Sequence, residues 1–364
     1  MEYKRLGDYI REVNVRNRDE KVTKPMGINI DKHFMPSVAN VIGTDLSTYK
    51  LVSKNQFACN LMHVGRDKKI PMAIQTEDKP IIVSPAYFVF EIAQTNMLLP
   101  EYLMMWFRRP EFDRNAWFYT DADVRGGMDK CALLDMIFPI PSIERQREIV
   151  EEYETLSRRI SLNEQMIQNL EATAQALYRK MFVDGIDKEN LPAGWRMGTL
   201  GEVATFKYGK LAEKHPQSKD NPYPVFSGYA ITGYTNEYTL KEPTIVIIAR
   251  GDAGTGRICM SPKECFLSNL AISIETKDDA IKDYLYYYLL GSDTMSLRSG
   301  SAQAQITINN VEPFEIMIPT KEVCLDFAQK AKVLYDNKVL NQQENSKLNE
   351  LQSLLLAKMG NLKQ

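Results

Sequence analysis

PSIERQREIVEEYETLSRRISLNEQMIQNLEATAQALYRKMFVDG, residues 141–185, is the stretch from which the rest of the chain can be placed. Apolar side chains recur at Ile149, Tyr153, Leu156, Ile160, Ile167, Leu170, Ala174, Leu177 and Met181. The alternating four and three spacing is that of a coiled-coil seam, and only Asn163 interrupts it. Ser142, directly after Pro141, is a good N-cap, Glu144 puts negative charge in the first turn, and Gly185 stands where a left-handed stop belongs. The pattern predicts one helix over residues 142–185. Some 40 residues at ~1.5 Å rise make a rod of roughly 60 Å, longer than one small domain needs.

The same element recurs 178 residues later. Leu156, Leu162, Asn163, Gln165, Leu170, Leu177, Lys180 and Met181 map without a gap onto Leu334, Leu340, Asn341, Gln343, Leu348, Leu355, Lys358 and Met359. The start signal repeats too, with residues 140–144 (IPSIE) matched by residues 318–322 (IPTKE). This is an internal repeat, and the two helices are expected to pack on each other through Leu156, Ile160, Asn163, Ile167, Leu170 and Leu177 on one side. The partner positions are Leu334, Asn341, Leu348 and Leu355, with Asn163 and Asn341 as the polar pair that fixes register. Lys338, Asn345 and Gln352 make the second seam more polar, as expected of a seam that is partly exposed or serves another partner.

The globular parts repeat as well. Residues 5–8 (RLGD) resemble residues 199–202 (TLGE), the stretch from Val83 to Glu91 resembles that from Leu267 to Glu275, and residues 101–103 (EYL) resemble residues 283–285 (DYL). Short β-type runs such as TIVIIA, residues 244–249, are separated by turn formers, and helical character concentrates around residues 100–112 and 281–290. The fold class expected is α+β, with two similar globular domains alternating with two long helices. The divisions are 1–141 and 197–319 for the globular domains, 142–185 and 320–364 for the helices, and 186–196 (IDKENLPAGW and Arg196) for a linker.

Composition narrows the function. The chain has 364 residues, 44% apolar and 25% charged, with net charge -2, which is ordinary for a globular protein and gives no global basic signature. MEYKRLGDYI lacks the apolar core of a signal peptide and no long apolar run follows, so the chain reads as cytoplasmic. Five cysteines without a CxxC pair and three scattered histidines indicate no disulfide framework and no metal site. Residues 220–224 (DNPYP) have the wrong order for a methyltransferase target-base motif, and residues 250–257 (RGDAGTGR) fit neither a dinucleotide nor a phosphate loop. Asp252 with Glu275 and Lys277 could hold Mg²⁺ in a nuclease, but the first domain has no matching lysine. No catalytic residue is assigned.

What remains is binding. Loops that interleave basic, amide and aromatic side chains with glycine suit DNA, because Lys and Arg neutralise phosphates while Asn, Gln and Arg reach base edges. Candidates in the first domain are Lys21, Lys24, Lys32, Arg66, Lys68, Lys69 and Arg125, and around them His33, Arg114, Gly126 and Gly127. In the second domain they are Lys207, Tyr208, Lys210, Tyr229, Tyr234, Asn236, Arg250, Arg257, Arg298, Gln303 and Gln305.

The whole arrangement, with FPIPSIERQ at residues 138–146, LPAGW at 191–195 and GEV at 201–203, resembles the specificity (S) subunit of type I restriction-modification enzymes. The resemblance implies two target-recognition domains held apart by long helices that pair as an antiparallel coiled coil. It implies a non-catalytic subunit that binds double-stranded DNA and docks methyltransferase (modification) subunits and helicase-nuclease (restriction) subunits. S-adenosylmethionine, ATP and Mg²⁺ then belong to those partners, and this chain binds no cofactor itself. The site expected is bipartite and asymmetric, because the two domains differ. The alternatives are a self-contained DNA nuclease or methyltransferase, and a coiled-coil adaptor that binds only proteins.

Overall fold

The computed structural model describes residues 3–37, 43–62, 64–120, 126–211, 221–251, 254–299 and 305–360. It divides into two compact units, residues 1–163 with 343–364, and residues 164–342.

The first unit is built on an antiparallel sheet of β1 (Ile10–Glu12), β2 (Gln56–Cys59), β3 (Met72–Ile74) and β4 (Phe88–Ile92), in the order β1-β4-β2-β3. The second is built on β5 (Ala204–Tyr208), β6 (Ile245–Ile248), β7 (Ile258–Met260) and β8 (Ala271–Thr276), in the order β5-β8-β6-β7 and again all antiparallel. The two orders are the same permutation, so the weak sequence echo is a repeated topology. Val-Ile-rich strands such as β6, buried at every position, are central strands covered on both faces.

The echo reaches individual atoms. The phenol of Tyr102, on α1 (Pro100–Phe107), donates to the Pro139 carbonyl at 3.1 Å. The phenol of Tyr284, on the helix Lys282–Leu290, donates to the Met317 carbonyl at 2.5 Å. Each tyrosine is buried, so each satisfies its hydroxyl on the backbone that leads into a long helix. In each unit that backbone belongs to a two-stranded antiparallel ribbon, Tyr3–Arg5 with Ile137–Pro139 and Arg196–Thr199 with Glu315–Ile318.

The long helices are Ile143–Phe182 and Lys321–Met359. Ser142 Oγ accepts from the Arg145 amide at 3.3 Å as its cap position requires, and Gly185 has φ +75°, the left-handed stop. The heptad positions of the first helix, from Ile149 to Met181, are buried or half-buried, joined by Val150, Tyr178 and Phe182 near its ends, while most of the positions between face solvent. The helices run antiparallel in each unit. In the first, Ile149, Val150 and Tyr153 share a core with Leu355, Leu356 and Met359. In the second, Tyr178 and Phe182 pack on Phe327 with ring centroids 6.1 and 5.3 Å away.

One expectation about the seam changes. Asn163, 3% exposed, donates to Glu344 Oε2 at 3.0 Å and Asn345 Oδ1 at 2.9 Å, whereas Asn341 donates to the Asn337 carbonyl of its own helix at 2.8 Å. Asn163 and Asn341 are therefore not the polar pair. The more polar second seam is half-buried, in keeping with the partial exposure expected of it, and it bonds across the pair. Gln352 Nε2 donates to Ser157 Oγ at 2.6 Å, and Lys338 pairs with Glu171 at 2.6 Å. Polar side chains stand there because they bond across the pair. The expected helical stretch at residues 100–112 is two helices, broken between Phe107 and Pro110 because proline cannot continue the first ladder. Trp195, at the end of the expected linker, anchors on Phe182 with centroids 5.8 Å apart.

Candidate nucleic-acid interface

The registers place one end of each four-stranded sheet at comparable loops. In the second unit this end holds the C-termini of β5 and β6 and the N-termini of β7 and β8, since Tyr208 faces Ile272, Ile248 faces Ala271 and Ile247 faces Ile258. The backbone beyond it is tightly fixed. The Gly209 amide donates to the Ala271 carbonyl, Lys210 to Leu267, and both Ala249 and Arg250 to Leu270. A Cβ at Gly209 would lie 2.0 Å from the Ser268 carbonyl oxygen, so only glycine fits this crossing.

This scaffold brings several expected contact residues together. Tyr208, Lys210, Arg250 and Arg257 are exposed at or just beyond this sheet end. The Tyr229 ring, 63% exposed, lies against Gly254 in the loop between β6 and β7. Arg298 reaches the same loop, its guanidinium donating Nε–H to the Thr255 carbonyl at 2.9 Å and also donating Nη2–H to that oxygen. Two donors on one carbonyl hold the planar group in place, a pre-organisation lysine could not supply. Gln305 is exposed and pairs through its backbone with Ser299, and the adjoining Ile306 amide donates to Ala249.

Others lie elsewhere or have groups already engaged within the fold. Lys207 points back along β5 into an ion pair with Glu275 at 2.8 Å, so its charge is already matched. Tyr208 faces outward but its phenolic oxygen accepts from the Ile308 amide at 3.1 Å. Tyr234 and the exposed Asn236 belong to the far end of the hairpin Tyr223–Phe226 with Ile231–Thr235, away from the turn that carries Tyr229. Lys277, considered with Asp252 and Glu275 for a metal, instead donates to the Gly201 and Glu202 carbonyls. Asp252, Gln303 and Arg125 lie outside the described residues, as does the side chain of Arg66. Among the described residues no cluster of three His, Cys, Asp or Glu side chains could hold a metal.

In the first unit the corresponding end carries residues 60–71. The Asn60 amide donates to the Pro71 carbonyl, and Gly65 and Gly126 approach so closely that a Cβ on Gly65 would lie 2.6 Å from the Gly126 Cα. Gly126 thus serves backbone packing. Lys68 and Lys69 project from this loop, Lys68 5.0 Å above the Trp117 ring and Lys69 3.9 Å from Asp31. Lys24 is exposed, and so is Lys21, paired with Asp19 at 2.7 Å, which raises its ammonium pKa.

Lys32 is reassigned. It is 4% exposed, its ammonium bonded to Asp113 Oδ1 at 2.7 Å and to the Phe107 carbonyl, and burial pulls its pKa down. Asp113 Oδ1 also accepts from the Ile70 amide at 3.1 Å. The pair ties the turn after Met26–Ile28 to the helix Pro110–Phe118 and to the Lys68–Lys69 loop, so the charge is spent inside the fold. A single lysine between polar residues in sequence gives no sign of such burial.

Sequence reading passed over Trp117, Phe118 and Tyr119. They are 45%, 80% and 48% exposed at the end of the helix Pro110–Phe118, beside the Lys68 loop. The available signal was three consecutive aromatics after a polar helical turn.

Comparison with known proteins gives these loops a context. Residues 192–354 match the sequence model of the type I restriction modification DNA specificity domain. Over 98% of both chains, the protein is 22% identical to the type I restriction enzyme HindI specificity subunit of Haemophilus influenzae. It is 20% identical to a putative type I restriction enzyme MjaX specificity subunit of Methanocaldococcus jannaschii, over 90% of this chain and 82% of that one. Its fold is similar to the crystal structure of the type I restriction-modification system S subunit from M. genitalium, with TM-score 0.63, 14% identity, and 100% and 96% of the chains covered. Among the described residues no helix is long and apolar enough to cross a membrane.

Proposed function

We infer that the chain is a specificity subunit of the type I restriction-modification kind and selects the DNA site on which such an enzyme acts; its similarity to such subunits in sequence and fold supports this reading. The observation that carries this reading is the repeated sheet end. One topology occurs twice, and the loops beyond it present cationic, amide and aromatic groups that differ between the copies. Lysines and arginines there neutralise phosphates, and side chains that reach base edges supply sequence choice. Two different readers on one chain give two different half-sites, hence a bipartite and asymmetric target. The paired long helices act as the spacer, and their exposed faces dock the methyltransferase subunits. Methyl transfer, with S-adenosylmethionine, and ATP- and Mg²⁺-dependent translocation and cleavage belong to partner subunits, while this chain performs no chemistry.

The test is incubation of the purified chain with duplex DNA, Mg²⁺ and S-adenosylmethionine, alone and with its methyltransferase subunit. Salt-sensitive binding without cleavage or methylation by the chain alone, and methylation on adding the subunit, is expected. Turnover by the chain alone would make it an enzyme, and no DNA binding in either form would leave a protein-only adaptor.

A further inference from the structure

We propose that Phe118 is a base-stacking wedge of the first unit, with Lys68, which stands over the neighbouring Trp117, as its cationic footing; the proposal rests on the DNA-recognition reading above. The helix Pro110–Phe118 turns Phe112, Asp113 and Ala116 into the core, so its last turn sends Trp117 and Phe118 elsewhere. Phe118 is 80% exposed, and its ring meets Tyr119 edge-on with centroids 5.4 Å apart. The ring borders a surface pocket shared with Trp106, Phe112, Arg114 and Met136, and most of it stands in solvent.

The patch is fixed, and it is cationic. Thr120 closes the helix by bonding the Trp117 carbonyl through its hydroxyl at 2.7 Å, and Thr120 then bridges to Met128, whose amide donates to the Leu61 carbonyl. The aromatics are therefore tied to residues 60–71 at the sheet end already assigned to DNA. Lys68 adopts φ +52°, a conformation lysine seldom takes, and its ammonium stands 5.0 Å above the Trp117 ring. Arg114, one turn before Phe118, is exposed on the same helix and pairs with the rim acid Glu111 at 3.2 Å. A polyanion with flat apolar faces inside it suits an exposed phenyl ring beside fixed cations, and duplex DNA with an opened base step has that character.

The second unit sharpens the assignment. There a comparable bridge joins Ser299 to Gln305, and the residues just before it are Ser296, Leu297 and Arg298. One copy presents rings and the other a guanidinium at the same point of the topology, so the two half-sites are contacted by different chemistry.

The experiment uses the full chain assembled with its methyltransferase subunit, and duplexes of the recognised sequence with 2-aminopurine placed in turn at each position. The wild type should brighten one or two adjacent positions, all in one half-site. Phe118→Ala should abolish that signal and weaken binding by ~10- to ~100-fold. Phe118→Trp should restore both, a rescue that a purely structural role would not produce. Phe118→Ala that binds with unchanged affinity and unchanged fluorescence overturns the proposal, and so does Phe118→Ala that loses the methyltransferase subunit while keeping the 2-aminopurine signal. If the wild type itself selects no DNA, the recognition reading fails first, which is a separate result.

Discussion

The Asn163 carboxamide donates to Asn345 Oδ1 at 2.9 Å, and the Asn345 carboxamide donates in turn to the Ile160 carbonyl at 3.4 Å. Asn345 lies one helical turn beyond Asn341, so the helix pair is one turn away from the register that the sequence repeat suggests. Arg159, with Nε–H donating to Glu344 Oε1 at 2.9 Å and a second N–H to Oε2 at 3.0 Å, closes the same cluster.

Asn163→Ala removes a buried amide and leaves its partners short of donors. The expected loss is ~1–3 kcal/mol of unfolding free energy. Asn341→Ala, which removes a bond to the Asn337 carbonyl of its own helix, should cost under ~1 kcal/mol. Denaturant titration of both variants measures the contrast, and equal effects would mean that the register described is wrong.

The Glu344 carboxyl is held below the usual carboxylate range by its hydrogen bonds to Arg159 and then to Asn163. A lowered folded-state pKa contributes stability above the unfolded value of ~4.3, which is lost as pH falls through the lower folded value. Thermal melts of wild type and Glu344→Gln should differ at neutral pH and converge toward pH 3, with the gap shrinking in high salt because the pair is exposed. A gap that widens on acidification would contradict this sign.

Lys32→Met should strand Asp113 inside the first unit. Removing one partner of a buried pair costs ~3–5 kcal/mol. Lys24→Met, at an exposed site, should leave the melt unchanged, weaken DNA binding and reduce the salt slope by about one phosphate's share. Melting and salt-dependent binding of both proteins separate the two roles.

Arg298→Ala frees the Thr255 carbonyl and loosens residues 254–256. Affinity should fall for the half-site read by the second unit alone, with hydrogen exchange rising in that loop. Arg298→Lys should recover charge without recovering geometry, and so only part of the affinity. A uniform loss over both half-sites would show that Arg298 acts on the fold of the chain rather than on reading.

Much of the architecture was legible because it is periodic. The heptad from Ile149 to Met181, its cap at Ser142 and its twin ending at Met359 set the helices, and Tyr102 and Tyr284 marked equivalent points of the globular copies. Register was not legible, since Asn163 could face Asn341 or Asn345 with the same pattern of apolar positions. At the interface, residue type separated poorly what burial separates well. Lys32 and Lys24 look alike in sequence, yet one lies under Phe107 and Asp113 and the other in water. Phe118 was missed for the opposite reason, because an aromatic at a helix end is expected in the core.

The most direct measurement is selection of duplexes from a randomised pool by the full chain with its methyltransferase subunit, followed by sequencing. Two short conserved blocks of different sequence, separated by a fixed run of unselected bases, are predicted, and one heptad inserted in each long helix should lengthen that run without altering either block. A single continuous block, or a gap unmoved by the insertion, would contradict two readers set apart by a helical spacer.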